Sequence, residues 1–207
     1  MNILLRLPVL SLVVLLASCA TLDKNECLNA DWELIGYEDG AKGYQATRIG
    51  DHRKACSQHG VSPDLAAYTK GRERGLKTYC TPANGFKVGQ QGSSLRQVCP
   101  QNMRAGFSEA FDYGRKIYLH REDISRFKND VRLASKNIHA LQEELALNEA
   151  LIIKGARGPR ERAELVQRNR ELDRLIAIEE DNISRAGYEI EQLDSRVAEL
   201  VDHSPYK

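Results

Sequence analysis

Cys27, Cys56, Cys80 and Cys99 are the side chains of this sequence best suited to chemistry with one another, at gaps of 29, 24 and 19 residues. No two have the C-x-x-C spacing, and the gaps are far wider than zinc motifs use. In an oxidising compartment an even set reads as two disulfides. Three connectivities satisfy four cysteines. Pairing Cys27 with Cys56 and Cys80 with Cys99 closes two local loops and is the expected arrangement. Each bridge of this kind typically adds ~2–4 kcal/mol.

Acid–base candidates are sparser. Asp39, His52, Asp64, Arg72 and Glu73 could converge on one cleft. His52 and His59 lie seven apart near one face of a short helix, too far for joint metal ligation without a third ligand. The sequence has no H-E-x-x-H, G-x-S-x-G or phosphate-binding loop. Asp31 and Asp64 are explained as helix-terminus residues, and Arg72-Glu73-Arg74 as a solvated face. The expectation is no enzyme, no cofactor and no metal; a hydrolase would have to rest on His52.

These residues must be held by short helices. Asp31 is an N-cap before Trp32-Glu33-Leu34-Ile35. A second helix spans roughly Asp51 to His59 and stops at Gly60. A third starts at Ser62-Pro63-Asp64, and a fourth near Asn102. The segment Thr81 to Ser94, with Asn84-Gly85, Gly89 and Gly92, reads as a turn-rich loop with a short hairpin around Phe86-Lys87-Val88. Interior glycines cost roughly 1 kcal/mol each relative to alanine, yet Gly36/Gly40, Gly71/Gly75 and Gly106/Ala110/Gly114 repeat a four-residue spacing. An aromatic stands three residues before a glycine each time: Tyr37, Tyr68 and Phe111. Residues four apart share a helix face, so the glycines read as places where another helix comes close. The other reading is a ligand-binding face of Trp32, Tyr37, Asp39, His52, Asp64, Tyr68, Arg72 and Tyr79.

Beyond residue 115 the logic changes. Ile117, Ile124, Val131, Ile138, Leu145 and Ile152 recur every seven residues, interleaved with His120, Phe127, Ala134, Leu141 and Asn148. After Gly155, Gly158 and Pro159 a second series follows: Leu165, Leu172, Glu179, Ala186, Leu193 and Leu200, with Asn169, Ile176, Ile183, Ile190 and Val197. Sustained heptads predict a coiled coil. For a turn at Gly158-Pro159, facing residues sum to 317. That register pairs Ile152 with Leu165, Leu141 with Ile176, Ile124 with Leu193, and Asn148 with Asn169. Only Ile138–Glu179 and His120–Val197 mismatch. The expectation is an antiparallel hairpin with arms of about 50–60 Å at 1.5 Å per residue. Its open flanks would take a protein partner or a second copy.

The N-terminus predicts the compartment. Arg6 precedes the apolar run Val9 to Leu16, too short to span a bilayer and typical of an export signal. Leu16-Ala17-Ser18-Cys19 resembles a bacterial lipoprotein box, which implies cleavage before Cys19 and acylation there. Two or three acyl chains anchor stably. Ala20 stands where aspartate would mark inner-membrane retention, so the expected address is the outer membrane, facing the periplasm. Without residues 1–18 the chain keeps 29 of its 30 Lys and Arg against 29 Asp and Glu. A neutral, mixed surface offers no footprint for nucleic acid.

The pattern Asp31-Trp32, Gly36-Tyr37-x-Asp39-Gly40-x-x-Gly43, His52-x-x-x-Cys56, Gly60-x-x-Pro63-Asp64, Tyr68-x-x-Gly71-Arg72-x-x-Gly75-Leu76-x-x-Tyr79-Cys80 and Asn84-Gly85 resembles a family of small bacterial lipoproteins that carry a domain of unknown function. The resemblance spans about residues 27–118 and implies export, lipidation and disulfides, but no activity. The whole chain is then expected to be mainly all-α. Residues 1–18 form a lipoprotein signal, 19–26 a lipidated linker, 27–110 a cysteine- and glycine-rich helical domain, 111–201 a coiled-coil hairpin with its turn near Gly155-Pro159, and 202–207 a tail. The expected role is a lipid-anchored envelope adaptor that binds a protein through the hairpin. The alternative is a periplasmic module for a small ligand or cell-wall fragment.

Overall fold

A computed structural model describes residues 21–155 and 158–206; the expected signal segment and Cys19 lie outside the described residues. Among these the chain is helical and has no strand. The helices are α1 (Lys24–Leu28), α2 (Trp32–Ala41), α3 (Arg48–Ser57), α4 (Leu65–Tyr79), α5 (Pro82–Gln90), α6 (Gln101–Ile153) and α7 (Pro159–Asp202). Their starts follow the local chemistry. Asp23 and Glu26 form a reciprocal capping box on α1. Asp31 accepts from the Leu34 amide at 3.0 Å, and Asp64 accepts from that of Ala67 at 2.9 Å. Among the described residues no helix is long and apolar enough to cross a membrane.

The segment expected to be a loop with a β-hairpin is instead α5. Thr81 caps it through the Asn84 amide at 3.2 Å, with Pro82 in the first turn. A two-residue Asn-Gly hairpin turn needs positive φ at both residues. Gly85 is not among the positive-φ glycines, which are Gly43, Gly60, Gly92 and Gly155. The capping signal therefore outweighs the Asn-Gly signal.

The chain divides into two compact units, one reaching Thr78 and the other beginning at Tyr79. The division falls inside the stretch 27–110, and each unit keeps one disulfide: Cys27–Cys56 in the first, Cys80–Cys99 in the second. This is the local pairing expected. The first unit's core gathers Cys27, Trp32, Ile49, Cys56 and Tyr68, with Leu22, Ile35 and Val61 packed against them.

The second unit is dominated by α6 packed along α7 as an antiparallel hairpin. Asn148 donates to Asn169 at 3.0 Å, on the register that sums to 317. Ile117, Ile124, Ala134, Leu172, Ala186 and Leu193 are buried along the seam. Glu179, mismatched opposite Ile138, turns aside and accepts from Asn137 at 3.0 Å. His120 lines a cavity of about 410 Å³ at the hairpin base with Tyr113, Lys116, Arg196 and His203. The C-terminal tail packs back on its own unit, the Tyr206 ring lying 5.7 Å from Tyr113 and 6.0 Å from Phe86.

Candidate functional site

The glycines make the scaffold. In the first unit α2 and α4 run side by side in the same direction. A β-carbon on Gly36 would strike the Tyr68 carbonyl oxygen, and one on Gly40 that of Arg72. Reciprocally, one on Gly71 would strike the Glu33 carbonyl and one on Gly75 that of Tyr37. Backbone meets backbone, and no side chain fits between. The four-residue spacing therefore marks contact between two helices, and the glycine face is filled by protein.

The second unit contains the same clasp. Gly85 meets the Phe107 carbonyl, Gly89 that of Phe111, and Gly114 that of Phe86. Shifting α2 by 49 residues and α4 by 39 turns three of the four contacts of the first clasp into counterparts in the second. Gly36 becomes Gly85, Tyr37 becomes Phe86, Tyr68 becomes Phe107 and Gly75 becomes Gly114. Gly71 becomes Ala110, which is fully buried. The ends of the first helices match too. Gly43 and Gly92 both take positive φ (67° and 71°) just past the helix end, where a side chain would be strained. In each, the amide donates three residues back at 3.0 Å, to Gly40 and Gly89. Each disulfide joins the segment before one clasp helix to the segment before the other.

On the first clasp only, a polar cluster is built. Asp39 projects from α2 and is 8% exposed; His52 comes from α3 and is 3% exposed. His52 Nε2 lies 2.8 Å from Asp39 Oδ2, which also accepts from the Tyr68 hydroxyl at 2.8 Å. Arg48 Nε donates to Asp39 Oδ1 at 3.2 Å. The other histidine nitrogen, Nδ1, lies 2.9 Å from the Thr21 hydroxyl. Burial raises the Asp39 carboxyl, but hydrogen bonds from His52 and Tyr68 and the charges of His52 and Arg48 outweigh it and hold it below the usual carboxylate range. Burial, then the bond to Asp39, raises the Tyr68 phenol well above its usual value.

Carboxylate, imidazole and hydroxyl in this order make a proton relay in composition. However, Asp39 already serves three donors, and the histidine ring is almost wholly enclosed, so a substrate has no approach to either nitrogen. Its effect is to fix position: Asp39 orients His52, and His52 holds Thr21. A hydroxyl both donates and accepts, so Thr21 can stay bound whichever proton His52 carries. Among the described residues no cluster of three His, Cys, Asp or Glu could hold a metal.

Of the eight residues read as a binding face, the structure brings Asp39, His52 and Tyr68 together and buries Trp32 in the same core. Asp64 caps α4. Tyr37 lies under the Arg74 guanidinium at 5.8 Å, and Arg72 donates to the Tyr44 carbonyl at 2.8 Å. Tyr79 is buried in the second unit, its ring 5.2 Å from that of Phe107. Arg48 and Thr21 belong to the cluster without having been singled out in sequence. An arginine opening a helix and a threonine two residues past Cys19 carry no periodicity that would mark them.

A family model described as a protein of unknown function (DUF2799) matches residues 31–116. The match starts at the Asp31 cap and ends two residues past Gly114, so it takes in both glycine clasps and leaves out Thr21 and most of the hairpin. No curated protein and no solved structure matches the chain.

Proposed function

We propose that this protein is a lipid-anchored adaptor of the bacterial cell envelope, attached through Cys19 to the outer membrane on its periplasmic side, that binds a protein partner along its coiled-coil hairpin. The observation that carries the reading is the inequality of the hairpin's two flanks. On one flank two adjoining cavities, of about 390 and 340 Å³, share Asn137 and Glu179 in their walls. Phe127, Leu133 and Ala186 line the first; Leu141, Leu175 and Ile178 line the second. Leu133 is 43% exposed, Ile178 50% and, further along the same helical face as Leu133, Leu147 67%. The opposite flank of α6 presents Arg121, Lys128, Ser135, Gln142 and Glu149, all exposed. Closing the two-helix seam does not require apolar residues on one flank. A third helix laid in that groove would bury them.

The reading is tested by photocrosslinking in living cells. A benzoylphenylalanine at Leu133 and one at Leu175 should give an adduct with the same protein. The same group at Ser135 or Ser184 should give none. Equal adducts from both flanks, or none from the apolar one, overturn the adaptor reading. The anchor is tested separately: the mature N-terminal peptide should carry acyl mass on Cys19, and Cys19→Ser should move the protein out of the membrane fraction.

A further inference from the structure

The second clasp folds without a counterpart of the polar cluster. At the position equivalent to Asp39 it has Val88, and Phe107 stands in place of Tyr68. Holding two helices together therefore does not explain why the first clasp buries a carboxylate, a histidine and a tyrosine hydroxyl. Buried polar groups are costly unless fully partnered, and the last partner in this set is Thr21.

Thr21 is two residues after Cys19, which the proposed function makes the lipid attachment point. Consecutive Cα atoms are 3.8 Å apart, so two extended residues span at most about 7 Å. Immediately after Thr21, Leu22 packs against the core of Cys27, Trp32, Ile49, Cys56 and Tyr68. The chain is thus tied to the folded unit almost as soon as it leaves the anchor: by Thr21 to His52, by Leu22 to the core, and by Cys27 covalently to Cys56 on α3.

We propose that the Thr21–His52 contact is a strap that seats the first unit on the bilayer, with α1 and α3 forming a surface that faces lipid headgroups. The proposal rests on acylation of Cys19. The short reach from the attachment point names the occupant: about 7 Å of chain brings the face around Thr21, α1 and α3 against the bilayer surface. That face carries both signs, with Lys24, Arg53 and Lys54 exposed beside Asp23, Glu26 and Asp51. Asp39 acts here as a positioning residue, through the orientation it gives His52.

Trp32 is the chain's one tryptophan and lies in the core that receives Leu22, so its fluorescence reports the distance of that core from the membrane. The experiment places the full lipidated chain in phosphatidylcholine–phosphatidylglycerol vesicles containing a headgroup-nitroxide lipid and measures quenching of Trp32. Strong quenching is expected for the wild type. A twelve-residue Gly-Ser insert between Ala20 and Thr21, which leaves the folded unit intact, should lower it at least twofold. Thr21→Val, which keeps the shape and loses the hydrogen bond, should lower it in the same direction, and His52→Gln likewise if the unit still folds. Equal quenching in wild type, insert and Thr21→Val overturns the strap. Vesicle flotation and the mass of the N-terminal peptide separate the premise from the proposal. A chain that floats with acylated Cys19 but shows no strap dependence refutes the strap alone. A chain without acyl mass on Cys19 refutes the anchor and the strap with it.

Discussion

The two glycine clasps have the same helix register and different contents. The first surrounds Asp39, His52 and Tyr68; the second puts Val88 and Phe107 in the matching places and buries Phe86, Ala110 and Ile117 beside them. One scaffold thus tolerates a polar and an apolar filling. The scaffold's requirement lies in the backbone contacts, and the polar cluster serves something else. The widest way to break this comparison is to add a single methyl group. Gly71→Ala and Gly114→Ala would each drive a β-carbon into a carbonyl oxygen on the facing helix. Overpacking usually costs ~1–3 kcal/mol because side chains can move aside; here the obstacle is backbone. Each substitution should exceed that range and abolish cooperative folding of its own unit. Trp32 fluorescence follows the first unit, and far-UV circular dichroism is dominated by α6 and α7 of the second. If Gly114→Ala left the dichroism melt unchanged, the equivalence of the clasps would be lost.

Next in size are the disulfides. Each joins the two segments that lead into its clasp helices. Replacing the Cys27–Cys56 pair or the Cys80–Cys99 pair with alanine should cost about 2–5 kcal/mol in urea denaturation. Loop lengths of 29 and 19 residues make the first bridge more stabilising by only about 0.4 kcal/mol on chain entropy. A difference of several kcal/mol would mean that one clasp relies on its bridge and the other does not, which would sharpen the contrast considerably.

The polar filling has its own signature in pH. Asp39 titrates lower in the folded chain than in the unfolded one, where the value is about 3.9. Its contribution is therefore complete above about pH 4–5 and is lost as pH falls through the folded pKa. Asp39→Asn should cost about 1.5–3 kcal/mol at pH 7, in the range of hydrogen bonds to a charged group, and should flatten the acid limb of stability against pH. Val88→Asn in the second clasp removes no such group and should leave the acid limb unchanged. An unaltered acid limb in Asp39→Asn would show that another carboxylate governs it.

How much of this was legible in the sequence depends on the range of the signal. The hairpin could be read to the residue, because heptads on two arms must agree and the Asn148–Asn169 pair fixes their offset. That there are two disulfides followed from the cysteine count; the sequence left three connectivities open, and the structure has the local one. The glycine face was read as a place where another helix comes close, which the structure bears out, but which helix was not legible. That Gly36 and Gly40 meet α4 rather than a ligand depends on a contact between segments some thirty residues apart, and spacing within one helix does not encode it. Helix α5 was missed because Asn84-Gly85 is a strong turn signal, although Thr81-Pro82 already carried a cap and a first-turn proline. The cluster was half legible: Asp39, His52 and Tyr68 stood out as residue types, whereas Arg48 and Thr21 join only through the fold.

The smallest expected effect guards the largest. If the clasps fail because backbone meets backbone, a helical glycine with open space around it must behave in the opposite way. Gly50 lies inside α3, is exposed, does not take positive φ, and has nothing within 4 Å of the point where a β-carbon would stand. Alanine there restricts the unfolded chain and strikes nothing in the folded one. Gly50→Ala should therefore raise stability by about 0.4–1 kcal/mol in the same urea titration. A loss at Gly50 as well would mean that these short helices resist any added side chain. The losses at Gly71 and Gly114 would then say nothing specific about clasping. A gain at Gly50 beside collapse at the other two assigns the collapse to the contact itself.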